Sequence, residues 1–286
     1  MTKTSVLHPI FAALIARQDE LGTKDFWTGL TDQQKSFIAK VTSRTRDNLK
    51  DIPEIERCSS RDYEVINAWL ASKGLTIKLD KFDPSTAMGM ASYLEIKLQW
   101  LVKGTQANIK SKNQYFPGVK LPQKAVRFFW NQEHGNIIAQ ILTKNGDEIF
   151  LTIAEKPMDE NELQQFAKLV TEAKTVAVAF TGINFPMIDL DHQPDISWLG
   201  GMSILDQKKN PYFISQALQQ TKFSMNENGA TVESGVAISA RRGHSFDEKR
   251  PLIIDEPFVV VIRRPGIELP IFVGYLDDDC WKTPKV

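Results

Sequence analysis

Few side chains in this sequence have the types and spacing that chemistry requires. Asp189, Asp191, His192 and Asp195 fall within seven residues and could form an oxygen-rich metal site. Pro194 and Asp195 at a helix start, where the positive helix end favours an acid, account for most of that grouping locally. No metal is therefore expected there. The four histidines, His8, His134, His192 and His244, are scattered, and neither His-Glu-x-x-His nor Gly-x-Ser-x-Gly occurs. A hydrolase has no support, and no catalytic residue or cofactor is expected. Arg263-Arg264 with Lys249-Arg250 could make a small anion-binding patch, although solvated loop charge fits them better.

The remaining candidate is mechanical. A strand-like Gln219 to Met225 runs into Asn226-Glu227-Asn228-Gly229, and a permissive segment follows. Alternate positions from Ala230 read Ala230, Val232, Ser234, Val236, Ile238 and Ala240, all small or apolar. Between them stand Thr231, Glu233, Gly235, Ala237, Ser239 and Arg241, small or polar. A period of two puts one set on each face of a strand. Yet Gly243, His244 and Asp247-Glu248-Lys249-Arg250 read as an exposed loop. An ordinary edge strand and loop satisfy the same pattern. So does a loop, roughly residues 230–250, that is able to become a strand.

A hairpin follows. Phe258-Val259-Val260-Val261-Ile262 and Ile271-Phe272-Val273-Gly274-Tyr275-Leu276 are β-branched and aromatic runs without alternation, as in strands covered on both faces. Arg264-Pro265-Gly266-Ile267 between them carries a type II turn signal. Upstream, Thr31-x-x-Gln34 opens a helix with Phe37, Ile38, Val41 and Leu49 on one side. Ser60 to Lys73 predicts a second helix, with Val65, Ile66, Trp69 and Leu70 inward and Gly74 as its stop. Met88 to Val102 alternates as one very long strand with a single buried face, made of Met88, Met90, Ser92, Leu94, Ile96, Leu98, Trp100 and Val102. Asn145-Gly146 between Ile137-to-Leu142 and Ile149-to-Ile153 is the best short hairpin signal. Glu160 to Thr171 reads as a helix and Thr175 to Phe180 as a strand. Helices over mostly antiparallel sheets make the chain α+β, and without a linker or repeat residues 1–286 are expected to be one domain.

Composition bounds the rest. At 286 residues and 42% hydrophobic the chain can bury a large core. Its 35 basic and 35 acidic residues cancel, so nucleic acid is not an expected partner. No run of 18 apolar residues exists, which argues against a membrane span. The apolar N-terminal stretch is broken by His8 and Pro9 and lacks a small-residue cleavage site. Two cysteines, Cys58 and Cys280, are too few for a disulfide framework. A cytoplasmic location is the default expectation, with export by a signal-independent route also open.

The sequence resembles the serpin family. Residues 226–243, NENGATVESGVAISARRG, resemble the serpin hinge and reactive-centre loop, and residues 255–278, DEPFVVVIRRPGIELPIFVGYLDD, resemble its C-terminal strand pair. Ile66-Asn67-Ala68-Trp69-Leu70 resembles the family's Ile-Asn-x-Trp-Val helix, and Trp100-Leu101-Val102-Lys103-Gly104 the end of its long central strand. Phe185-Pro186-Met187-Ile188, Asp195-Ile196 and Leu199-Gly200-Gly201-Met202 resemble its strand-then-helix pattern. These matches come in family order over roughly residues 60 to 280.

The resemblance implies an inhibitor of serine or cysteine proteases. The target attacks the loop, and the cut loop enters the central sheet as a new strand. It implies a hinge at Glu227, Asn228, Gly229, Ala230, Thr231, Val232, Glu233 and Ser234, and a scissile bond near Arg241, Arg242, Gly243 and His244. An arginine there suits a trypsin-like pocket, although paired arginines on a loop can also be plain solvated charge. Val232, Glu233 and Gly235 depart from the alanine-rich hinge of inhibitory members.

The early helices of the family are expected to be reduced or missing here, with His8 to Asp19 standing where a strand would precede the Ile-Asn-x-Trp helix. One of those helices supplies a buried polar contact to an Asn and a His, whose positions are Leu98 and Gln219 in this chain. Losing one member of such a group makes the others costly to keep, so a joint loss is coherent. The alternative is a non-inhibitory binding or scaffold protein whose missing helical face takes a partner protein.

Overall fold

Burial of the C-terminal hairpin on both faces sets the architecture. The computed structural model describes residues 3–40, 47, 49, 52–83, 89–132, 135–154, 156–158, 160–172, 175–230 and 250–284. Phe258–Arg263 lies antiparallel between Phe272–Leu276 and Glu148–Ile153, with Val260 opposite both Gly274 and Leu151. Its side chains divide as a period of two requires. Phe258, Val260 and Ile262 enter the main core, while Val259 and Val261 enter a second one with Leu163, Ala167 and Val170. The turn between the strands closes with the Ile267 amide donating to the Arg264 carbonyl at 3.1 Å, and Gly266 supplies φ +90. Around this pair an antiparallel sheet of seven strands forms, in the order Lys3–Ser5, Phe272–Leu276, Phe258–Arg263, Glu148–Ile153, Ile137–Leu142, Val126–Asn131, Thr175–Val178. Gly146, at φ +86, turns the Asn145-Gly146 hairpin as expected.

Four α-helices occur among the described residues: α1 His8–Glu20, α2 Asp32–Ala39, α3 Tyr63–Ser72 and α4 Glu160–Glu172. The fold is α+β. In α2 the capping box forms, the Gln34 amide donating to Thr31 Oγ1 at 3.2 Å while Gln34 Oε1 accepts from the Thr31 amide. Asp62 caps α3 and Gly74, at φ +72, follows its end. Val65, expected inward, is instead half exposed, because α3 presents only Ile66 and Leu70 fully to the strands beneath. No described helix is long and apolar enough to cross a membrane.

The largest correction concerns the N-terminus. His8–Glu20 is a helix, not a strand, and it buries His8, Pro9, Ile10, Phe11, Ala12, Leu14, Ile15 and Gln18. Pro9 sits in the first turn, where its missing N–H costs nothing. A helix apolar on most sides belongs inside, and α1 packs against the Ile55–Ser60 and Gly89–Leu94 strands.

Its first residue has a cost. His8 is 1% exposed, and its Nδ1 finds no hydrogen-bond partner. Burial, helped by the charge of Arg264, pushes its pKa down to about 4. The unfolded chain takes up this proton near pH 6.5 and the folded chain only near 4. The stability tied to neutral His8 is therefore complete above pH 6.5 and is lost as pH falls toward 4. A span of that size is worth about 3 kcal/mol. Urea unfolding at pH 7 and pH 4.5 should show most of that loss in the parent and a clearly flatter pH dependence in His8→Leu.

Candidate functional site

Short ladders, rather than one continuous sheet, surround the hinge. Ile55–Ser60 pairs with Gly89–Leu94, Ile188–His192 with Thr221–Met225, and Gly229–Ala230 with Leu98–Gln99, all antiparallel. Among the described residues, Gly89–Leu94 and Thr221–Met225 have one ladder partner each, so each has an edge free of a described strand. Gly229 and Ala230, two of the expected hinge residues, follow Thr221–Met225 in the chain and pair with Leu98–Gln99, which follows Gly89–Leu94.

The chain reaches that pairing by a tight reversal. After Met225 it turns through Glu227 and Asn228, and the Asn226 amide donates to the Gly229 carbonyl at 2.9 Å. The neighbouring strand grips the turn from the side. Trp100 donates its amide to Asn228 O at 3.3 Å and its indole N–H to Asn226 O at 2.8 Å. Gly104 N–H reaches Glu227 O at 2.7 Å, and Gln106 Nε2 donates to the Glu227 carboxylate at 3.0 Å. Gly229 adopts φ +153, and a Cβ placed on it would lie 2.2 Å from Leu98 O and 2.8 Å from Gln99 Cα. Backbone fills the space a side chain would need, so this position accepts only glycine.

Met88 to Val102 is not one unbroken strand. Gly89–Leu94 and Leu98–Gln99 are the paired pieces, and Glu95–Lys97 lies between them with no ladder among the described residues. The alternation nevertheless persists: Leu94, Ile96, Leu98, Trp100 and Val102 pack on the main core while Glu95 and Lys97 face solvent. Pairing stops there because each piece has a different holder. Gly89–Leu94 follows Ile55–Ser60. Residues 99–101 follow the Asn145-Gly146 hairpin, with Leu101 N–H on Leu142 O at 2.8 Å and Lys144 N–H on Gln99 O at 3.0 Å. Trp100 is 1% exposed and meets Phe185 edge-on at 6.2 Å.

At the two positions where the family resemblance implies a lost polar group, Leu98 is fully buried in the main core. Gln219 Nε2 donates to the Val6 carbonyl at 2.7 Å, just ahead of α1. An apolar contact and one side-chain-to-backbone bond thus occupy the place of a polar cluster.

The other sequence candidates resolve into local pairs. His192 Nδ1 lies 2.8 Å from Thr4 Oγ1, Asp191 accepts from Gln220, and Asp195 accepts from Ser197, whose hydroxyl first and amide second hold its carboxyl below the usual range. These groups point to separate partners. Arg263 and Arg264 do not form an anion site. Arg263 donates to Glu148 at 2.6 and 2.8 Å, and Arg264 clasps both Asp147 and Glu54 at 2.8–3.0 Å. Of the expected hinge, Glu227, Asn228, Gly229 and Ala230 are brought together beside Leu98. Thr231, Val232, Glu233 and Ser234, and the cleavage-site residues Arg241, Arg242, Gly243 and His244, lie outside the described residues. Sequence reasoning missed the supporting set of Gln99, Gln106 and Lys144; the first two flank the Trp100 motif, and Lys144 adjoins the Asn145-Gly146 turn.

No family model and no curated relative matches the chain. Solved structures do. The thermophilic serpin Tengpin, in its native state, is 14% identical with a TM-score of 0.61 over 97% of this chain and 88% of its own. The mouse protein-Z-dependent protease inhibitor is 12% identical with a TM-score of 0.60, over 96% and 90%. Thyroxine-binding globulin, solved in complex with thyroxine, is 13% identical with a TM-score of 0.57, over 96% and 92%. Likeness at such identities speaks for architecture alone.

Proposed function

The chain has the serpin fold, and from that premise we propose that it acts as a single-domain mechanical inhibitor of serine or cysteine proteases, with a trypsin-like target. The observation that carries this reading is the ladder of Gly229–Ala230 on Leu98–Gln99. It runs antiparallel to Leu98–Gln99, the direction a further strand beside Gly89–Leu94 needs.

Continued at the same register, that ladder sets Val232 opposite Ile96, Ser234 opposite Leu94, Val236 opposite Ser92 and Ile238 opposite Met90. The small and apolar row then falls on the face of Leu98, toward the core. Inserting about ten residues gains backbone bonds at roughly 0.5–1.5 kcal/mol each. Burying Val232, Val236 and Ile238 adds about 1.5–3 kcal/mol apiece. The gross gain is on the order of 10 kcal/mol before ordering costs. The protease supplies the covalent step: its nucleophile attacks the carbonyl at the scissile bond, the amine on the far side leaves, and an acyl-enzyme remains. Insertion of the freed loop then drags that enzyme before water can release it. Arg241 and Arg242 are the cationic candidates for the pocket.

A second reading is a binding protein that shares the fold without inhibiting. The bulk of Val232 in the hinge favours it. So does the apolar surface at Leu30, Leu205 and Phe213, which are 79%, 37% and 64% exposed beside the N-terminal helices where a partner protein would sit.

Incubation with trypsin separates the two. Inhibition yields a covalent complex that survives SDS and disappears in Arg242→Glu. The cleaved chain gains about 10 °C or more in Tm if half the gross gain survives. Cleavage near Arg242 with neither complex nor Tm gain selects the binding reading.

A further inference from the structure

The sequence holds two Asn-Gly pairs, Asn145-Gly146 and Asn228-Gly229. Such a pair can react with itself, because a glycine has no Cβ to shield its backbone nitrogen from the preceding side chain. The fold treats the two pairs differently. Asn145 Oδ1 accepts from Thr143 Oγ1 at 2.8 Å and lies 3.4 Å from the Asp147 amide, while its Nδ2 donates to Asp147 Oδ2 at 2.9 Å. Asp147 is itself clasped by Arg264 at 2.8 and 3.0 Å. To swing its amide carbon onto Gly146 N, the Asn145 side chain must give up these bonds. Among the described residues Asn228 is held through its main chain alone. Its amide donates to Asn226 Oδ1 at 2.9 Å and its carbonyl accepts from Trp100 N–H at 3.3 Å. The residue is half-buried, and its side chain has no hydrogen-bond partner among the described residues. Bonds alternate along an antiparallel ladder, so the Trp100–Asn228 bond makes the next pair, Gln99 and Gly229, one that exchanges none. The Gly229 N–H therefore points away from Leu98–Gln99, and no described ladder uses it.

We propose that Asn228-Gly229 is a site of spontaneous deamidation, and that conversion to isoaspartate there unseats the turn at Gly229. Gly229 N attacks Asn228 Cγ and gives up its proton, the Cγ–Nδ2 bond breaks, and ammonia leaves a cyclic imide behind. Water then opens the ring. Its attack on Cγ gives aspartate, and its attack on the main-chain carbonyl carbon gives isoaspartate, in which the backbone runs through Cβ and Cγ. Water is the sole co-reactant. Isoaspartate lengthens the main chain by a methylene immediately before Gly229, where Leu98 O would stand 2.2 Å from even an added Cβ. The Gly229–Ala230 ladder on Leu98–Gln99 then loses its seat. Aspartate keeps the backbone length and adds a charge beside Glu227, whose carboxylate already takes Gln106. The chemistry does not depend on the insertion reading.

Peptide mass spectrometry on the folded protein, held in mildly alkaline buffer, tests the site. The peptide carrying Asn228 gains the mass of an amide turned acid at least about tenfold faster than the peptide carrying Asn145, because only Asn145 must first break side-chain bonds. In the urea-unfolded chain the two rates converge. Rates that stay as far apart there trace the difference to flanking sequence and overturn the structural argument. Asn228→Gln removes the gain from its peptide, whereas a gain that persists belongs to Asn226 and overturns the assignment. Amide exchange at Gly229 and Ala230 rises in the isoaspartate-bearing fraction, and unchanged exchange overturns the unseating. Equal rates at Asn228 and Asn145 in the folded protein overturn the proposal. So does an Asn228 that stays an amide while the unfolded chain converts.

Discussion

Under the proposed insertion, replacing Val236 by aspartate is expected to abolish the SDS-stable complex with trypsin and to leave the loop as readily cut as before. In the proposed register Val236 comes to rest opposite Ser92, on the face of Leu94 and Leu98 toward α1. The described core residues beside that face, Leu94, Ile96 and Leu98, are apolar and cannot solvate an ionised carboxylate carried there. Burial of an unpaired charge costs several kcal/mol, a large part of the order-10 kcal/mol gross gain that drives insertion. Slow insertion lets deacylation win, so the variant becomes a substrate. Val236→Thr, close in shape, retains the complex. The measurement is the ratio of complex to cleaved chain on a denaturing gel, and an Asp variant that still forms complex at the parental ratio sinks the register.

Trp100→Ala lowers stability by about 3–5 kcal/mol, the range for emptying a large buried aromatic site. Trp100 is 1% exposed and packed edge-on to Phe185, and its indole holds the Asn226 carbonyl at the reversal before Gly229. At roughly 2–4 °C per kcal/mol the Tm falls by about 10 °C. Trp100→Phe keeps much of the buried ring while also losing the N–H, so it costs less, and the difference between the two variants measures the packing. Amide exchange at Asn226–Ala230 rises in both variants, because both remove that bond. Unchanged exchange there would detach Trp100 from the hinge and leave it a core residue only.

Local signals in the sequence were read correctly where one residue type has one physical use. The Thr31/Gln34 capping box, the Asn145-Gly146 and Pro265-Gly266 turns, and the unbroken β-branched run at Phe258–Ile262 each appear as expected. At the expected hinge, Gly229 and Ala230 pair beside Leu98, within the stretch expected to be the long strand. α1 was not legible. Its residues are apolar on most sides, so they carry no period that separates a buried helix from a buried strand, and counting back along the family pattern favoured the strand. Arg264 was misread as loop charge because its partners, Asp147 and Glu54, lie 117 and 210 positions away in sequence. Pattern reading sees neighbours along the chain, and a charge pair of that span leaves no mark in any window.

The backbone-lined socket around Gly229 has a consequence for how the loop can vary. Because Leu98 O and Gln99 Cα leave no room for a Cβ, the chain cannot slide by one residue and seat Asn228 or Ala230 in its place. The frame of everything downstream is thereby fixed at one atom. In the proposed inserted register, adding or removing a single residue just after Gly229 would swap the two faces of the segment and aim Glu233 and Arg241 at the core. Length drift beyond the cleavage site would leave that frame untouched. Tolerance to insertions should therefore change abruptly along one short segment, with the boundary set by a glycine many residues before it.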